Sequence, residues 1–155
     1  MHFSVLTDLD NSAEMLADKV AITSGDSTLS FGDLRDKAKA TACALIDLGV
    51  RPGDRVGICM KKSSEQIITI LGILYSNAVF VPILPALKRQ GISHIVKNSG
   101  MTAIVTDSKR LSEISYLEDS IKIFVGEGPI TETHPNLPYI SRHVDSCYLK
   151  PFSRL

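Results

Sequence analysis

The 155-residue sequence lacks the short motifs by which many enzymes are recognised. It has no GxGxxG or GxxxxGK[ST] loop, no GxSxG nucleophile motif and no HExxH pair. Gly126-Glu127-Gly128 lacks the third glycine and precedes Pro129 instead of a helix, so we do not expect it to bind phosphate. No metal site and no catalytic residue is predicted, because the four histidines show no ligand spacing: His2, His94, His134 and His143.

Cysteine is scarce, and charge of either sign is not in excess. Cys43, Cys59 and Cys147 are odd in number and far apart, which argues against a disulfide framework or a zinc site and favours a reducing cytoplasm. Lysine plus arginine equals aspartate plus glutamate, 17 against 17. No global field would therefore attract nucleic acid or an anionic membrane.

The sequence predicts neither a signal peptide nor a membrane span. The first fifteen residues include Asp8, Asp10 and Glu14 where a signal peptide needs an uninterrupted apolar core. Residues 67–87 carry no charge and are long enough to span a bilayer. We interpret them instead as a buried helix, a turn and a strand, because polar and proline residues interrupt the run: Ser76, Asn77, Pro82 and Pro85.

The first fifty residues show three local signals. Residues 1–19 have weak periodicity and predict a short helix or a surface arm, and residues 20–30 predict a hairpin around Ser24-Gly25-Asp26-Ser27. Ser30 and Asp33 stand at capping-box spacing before a helix whose apolar face runs from Leu34 to Leu48. Gly49 then predicts a Schellman end, with Val50 packing back on the helix.

From residue 55 to residue 125 strand and helix patterns alternate, which predicts an α/β fold with a mainly parallel sheet. The small residues Gly57 and Cys59 would let a helix approach the first strand closely. Ser63 and Gln66 predict a second capping box. The helix that follows, to about Ser76, is apolar nearly all round and should be covered on both sides. Asp107 or Ser108 should cap a later helix.

The pattern fades after Gly126, where prolines punctuate a segment without periodicity. We predict an α/β subdomain over residues 1–125. Residues 126–155 are predicted to be an irregular segment, either an ordered loop with a strand near Tyr139 or a frayed tail, or else a continuation of the fold that is cut short.

One local site stands out, comprising Lys61, Lys62, Ser63 and Ser64. It follows a predicted parallel strand and opens a helix, and both are places where α/β folds bind anions. The alternative is a helix cap flanked by two solvated lysines.

Several segments together resemble the adenylate-forming superfamily of AMP-binding enzymes. Residues 29–34, LSFGDL, are similar to its first core motif, and residues 49–56, GVRPGDRV, to the segment that follows. Residues 71–84 resemble the second core motif, which ends in an apolar strand and a proline, and residues 104–107 resemble the next strand. Ser76-Asn77-Ala78 replaces the usual alanine-glycine-alanine, and Leu84 stands where an acidic residue or asparagine is often found.

The resemblance implies a Rossmann-like N-terminal subdomain of an acyl-CoA ligase. Such an enzyme activates a carboxylic acid, here expected to be a fatty acid, with ATP and Mg to an acyl-adenylate and transfers the acyl group to CoA. The family's Ser/Thr/Gly-rich phosphate loop does not occur in these residues, so we expect the chain alone to bind no cofactor and to be an inactive fragment. A homo-oligomeric, non-catalytic interaction module that associates through exposed apolar faces is the alternative.

Overall fold

A computed structural model describes residues 4–117 and 120–127 of the chain. The predicted strand near Tyr139 lies outside these residues, and so do Gly128, His2, His134, His143 and Cys147. In chain order the elements are α1 (Val5–Met15), β1 (Val20–Ser24), β2 (Ser27–Ser30), α2 (Phe31–Asp47), β3 (Arg55–Cys59), α3 (Ser64–Tyr75), β4 (Val79–Pro82), α4 (Arg89–Ser99), β5 (Ala103–Asp107), α5 (Leu111–Ile114), a 3₁₀ turn (Ser115–Leu117) and β6 (Lys122–Glu127).

The sheet confirms the predicted α/β architecture. Four strands pair in the order β4-β3-β5-β6, and every pair is parallel. β1 and β2 form a separate antiparallel hairpin, as predicted. Each parallel connection after β3 passes through helical structure, which is the arrangement that alternating strand and helix patterns favour.

Period-two alternation places the core on both faces of the sheet. On one face Val56, Ile58 and Met60 pack with α2 and α3. On the other face Cys59, Ile104 and Val125 pack with α4 and α5. A third cluster, around Leu9, Leu34, Ala38 and Leu71, joins α1 and the hairpin to the outer side of α2 and α3. The sheet is therefore covered by helices on both faces, as parallel sheets are.

Helix α2 begins and ends as its sequence predicts. The Ser30 hydroxyl accepts a hydrogen bond from the Asp33 backbone N–H, and the Asp33 carboxylate accepts one from the Ser30 N–H. At the other end Gly49 has φ 92°, and the Val50 N–H donates to the Leu45 carbonyl at 2.9 Å. The capping box and the Schellman end are both confirmed.

Three local predictions are corrected. Gln66 does not complete a capping box at α3, because its side-chain amide donates to the Met60 carbonyl while Ser63 alone caps the helix. The three atoms nearest to a Cβ placed on Gly57 belong to side chains outside the helices, with the Met101 sulfur at 2.8 Å. Ser108 does not cap α5, and Asp107 accepts the N–H of Arg110, the residue before the helix, so its side chain holds the turn that leads into α5 and does not cap the helix itself.

Helix α3 is less buried than its composition predicts. Leu71 and Ile73 are buried, but Ile67 is 39% exposed, and Ile68, Ile70 and Leu74 are half-buried. The predicted covering on both sides is nevertheless confirmed, because Ile70 and Ile73 pack in the cluster with the sheet, and Ile68 and Leu71 pack in the cluster with α1 and the hairpin. None of the helices described over residues 4–117 and 120–127 combines the length and the apolarity that crossing a bilayer requires.

Candidate functional site at the carboxyl edge of the sheet

The predicted anion site lies at the carboxyl edge of the parallel sheet, in the connection from β3 to α3. Lys61 and Lys62 are exposed, and Ser63 and Ser64 are half-buried. The Ser63 hydroxyl caps α3 by accepting the Gln66 N–H at 3.2 Å. The Ser64 hydroxyl donates to the Glu65 carboxylate at 3.1 Å. The structure thus brings the four residues together at a helix start, in a setting that also contains a carboxylate.

Asp107, at the end of β5, organises this edge and was not predicted to do so. Its carboxylate is almost fully buried and accepts two backbone N–H groups, from Lys61 at 3.2 Å and from Arg110 at 3.0 Å. The neighbouring Thr106 hydroxyl donates to the Cys59 carbonyl at 3.0 Å. The end of β5 therefore holds the end of β3 through two side chains.

Arg110 extends these contacts to the loop after β4. Its guanidinium donates to the Pro85 carbonyl at 2.7 Å and to the Glu113 carboxylate at 3.1 Å. It also lies 3.9 Å from the Asp107 carboxylate. An open concavity of about 460 Å³ lies beside it, lined by Pro85, Lys88, Arg89, Ile92, Arg110 and Glu113. One cation thus joins the loop after β4 to the end of β5 and to α5.

No nucleophile or metal centre stands out among the described residues. Burial raises the pKa of the Cys59 thiol, so the thiol stays protonated near neutral pH. Cys43 and Cys59 are both unpaired thiols. Residues 4–117 and 120–127 hold no group of three or more His, Cys, Asp or Glu side chains arranged to bind a metal ion.

Sequence reasoning located the loop but missed the residues that hold it. The Thr106-Asp107 pair at a strand end was a visible signal, but the sequence suggested that Asp107 caps the next helix. Its partner Lys61 is 46 residues away in the chain. Local spacing does not reveal a contact of that range.

Comparison with known proteins identifies the family. The family described as AMP-binding enzyme matches residues 9–138. Bacitracin synthase 1 from Bacillus licheniformis is 33% identical over 114 residues, which are 74% of this chain but 2% of that protein.

Two solved structures share the fold. A benzoate CoA ligase from Burkholderia xenovorans LB400 has a TM-score of 0.80 at 22% identity, over 94% of this chain and 29% of that one. The coronafacic acid ligase from Pectobacterium brasiliense has a TM-score of 0.84 at 22% identity, over 99% of this chain and 31% of that one. This chain therefore spans less than a third of each of these proteins. Because the family match covers most of its length, the chain belongs to the AMP-binding enzyme family.

Proposed function

We propose that this chain forms the N-terminal part of an acid–thiol ligase that acts in the cytoplasm. The enzyme would use ATP and Mg to convert a carboxylic acid into an acyl-adenylate and would transfer the acyl group to CoA. The observation that carries the proposal is the family match over residues 9–138, together with a fold shared with two ligases. A fatty acid is the substrate we propose first.

The described residues serve this reaction as a scaffold. They supply two buried faces, a parallel sheet and the loops at its carboxyl edge, but no acid, base or phosphate loop suited to the chemistry.

Lys61–Ser64 is proposed as an accessory anion site, where the two exposed lysines offer positive charge and the Asp107 carboxylate opposes it. Binding of pyrophosphate to the chain, and its loss in Lys61→Ala/Lys62→Ala, would support that role.

The proposed reaction is tested on the polypeptide encoded through and beyond Leu155. A downstream Ser/Thr/Gly-rich loop with a lysine is expected, and the purified product should form AMP from ATP when a suitable acid and CoA are supplied. A panel of fatty, aromatic and amino acids would assign the substrate. Because a bacitracin synthase is among the relatives, a thiol on a carrier protein is the acceptor to compare with CoA.

A second candidate function is a self-associating module without catalytic activity. Large apolar side chains at the start of α3 and on β4 and its following loop favour it, since Ile67 is 39%, Val79 52% and Leu84 69% exposed. Sedimentation velocity over a range of concentrations would distinguish the two. A compact monomer at every concentration would exclude the module.

A further inference from the structure

Charge is segregated along the chain, although the net charge is zero. Residues 88–110 contain five of the seventeen lysines and arginines but one of the seventeen acids. That acid is Asp107, which is 4% exposed and turned inward onto two backbone N–H groups. A local excess of positive charge therefore reaches the surface, and the rest of the chain carries the compensating negative charge.

Three of these cations lie on α4 or directly before it, on a surface that we call the basic face: Lys88, Arg89 and Lys97. All three side chains are exposed, and so is the imidazole of His94 on the same helix. Helix α4 contains no acidic residue, and it lies against the sheet face opposite α2 and α3. Beside the basic face, Glu113 is already paired with Arg110 at 3.1 Å. Among the residues that the structure describes, the basic face is thus weakly compensated, and an anionic partner would gain from it.

An exposed apolar loop adjoins the basic face. Leu84 is 69% exposed and Ala86 is also exposed, in the loop between β4 and α4. Lys88 and Arg89 follow directly, and residues 85–89 line the same concavity as Arg110. An apolar tip bordered by lysine and arginine fits the boundary between lipid headgroups and acyl chains. There the leucine leaves water and the cations meet anionic headgroups.

The aromatic side chain at this face favours lipid over single-stranded nucleic acid. Binding single strands relies on exposed rings that stack on bases. The Tyr116 ring is covered by the Arg89 guanidinium at 4.0 Å, and its hydroxyl donates to the Arg89 carbonyl at 3.0 Å. The ring is therefore occupied within the protein.

We propose that residues 84–88 and the basic face of α4 form a peripheral docking surface for an anionic membrane. The attraction is local, because the excess of positive charge lies in residues 88–110. The anionic lipid would repel the acidic remainder of the chain, and this repulsion would orient the molecule with α4 toward the lipid. The inference rests on exposed charge and apolar surface, and it does not depend on the proposed ligase reaction or on its substrate.

The test is co-sedimentation of the chain with phosphatidylcholine vesicles, with and without about 30 mol% phosphatidylglycerol. We expect binding to the anionic vesicles alone, weakening as salt rises from about 0.1 M to 0.5 M. A lysine at an anionic surface contributes about fivefold to partitioning, so Lys88→Glu/Lys97→Glu should reduce binding at least tenfold. Leu84→Ser should reduce it by about threefold or more at unchanged charge.

The matched control is Lys19→Glu/Lys37→Glu, which makes the same charge change at two exposed lysines outside the basic face. It should retain binding, and circular dichroism should show that every variant is folded. Equal binding to neutral vesicles, an equal loss in the control, or no vesicle binding at all would overturn the proposal. Retention on single-stranded DNA or an acidic polypeptide without vesicle binding would also overturn it.

Discussion

At the scale of single residues, Asn77 shows how a substitution in a family motif is accommodated. It has φ 57° and follows α3 in the position that a glycine usually occupies. Its N–H donates to the Leu74 carbonyl at 3.0 Å, and the Ala78 N–H donates to the Ile73 carbonyl at 3.1 Å. Asparagine tolerates this left-handed conformation better than other residues with a side chain, so the helix end keeps its geometry.

We predict that Asn77→Ala destabilises the chain by about 1 kcal/mol, because alanine is strained at positive φ. Asn77→Gly should be neutral or slightly stabilising. The free energy of unfolding in urea measures both. Asn98→Ala, at an exposed position within α4, is the control and should have little effect. Equal stability of the alanine and glycine variants at residue 77 would contradict the explanation.

Gly72 marks the closest approach of two helices. A Cβ at this position would lie 2.6 Å from Thr41 Cγ2 and 3.2 Å from the Ala38 carbonyl oxygen. Helices α2 and α3 can pack this closely because the glycine has no side chain. The contact joins residues about thirty positions apart, so only the tertiary structure reveals it. Sequence reasoning placed such an approach at Gly57.

Gly72→Ala should destabilise the chain by about 1–3 kcal/mol through overpacking. Thr41→Ala should recover part of the loss in the double variant, since it removes the atoms in conflict. Gly91→Ala in α4 is the matched control, because its Cβ would meet the flexible end of Leu87 at 3.2 Å. We expect that variant to be neutral or stabilising through helix propensity. Similar losses in the two alanine variants would refute the packing account.

At the scale of elements, the start of α2 was predictable because its bonds are local. Ser30 and Asp33 are three residues apart, and their exchange of hydrogen bonds depends on nothing distant. The bonds from the Ser30 side chain and backbone lower the pKa of the Asp33 carboxyl from its ordinary value of 3.8. A carboxyl with a lowered folded-state pKa stabilises the fold above that ordinary value and loses the contribution as pH falls through the folded-state pKa.

Ser30→Ala should cost about 1 kcal/mol at neutral pH, as other N-cap removals do. It should also raise the pKa of Asp33 toward 3.8, which an NMR titration of the carboxyl would show. Stability should then depend less on pH below about pH 4 than in the unaltered chain. An unchanged Asp33 titration in the variant would contradict the assigned cause.

The hydrogen bond from the Lys61 N–H to the Asp107 carboxylate joins β5 to the loop after β3. It could not be predicted from the sequence, because the two residues are 46 positions apart. Removing the Asp107 carboxylate leaves the N–H groups of Lys61 and Arg110 without that acceptor. Asp107→Ala should therefore destabilise the chain by about 1–3 kcal/mol, measured by thermal or urea unfolding. Glu113→Ala, at an exposed partner of Arg110, should change stability by less than about 1 kcal/mol. A larger loss of stability in Glu113→Ala than in Asp107→Ala would exclude this structural role of the Asp107 carboxylate.

At the scale of the whole molecule, the alternating pattern was enough to predict the parallel sheet and its helices. Strand order was not predictable in this way, and neither was the partial exposure of α3. Residues such as Ile67 are apolar in the sequence whether their neighbour is this chain or another surface. The position of the candidate site, Lys61–Ser64, was predicted from the sequence. The contacts of Asp107 and Arg110 beside it were not, because they depend on the assembled sheet.

We propose that this unit is a scaffold and that the chemistry requires residues outside it. Acid-dependent ATP–pyrophosphate exchange by the purified 155-residue chain is the direct test, with the benzoate CoA ligase from Burkholderia xenovorans and benzoate as the positive control. We predict a folded chain with no exchange above the acid-free background for any acid in the panel. Exchange that requires both an acid and this chain would contradict the claim.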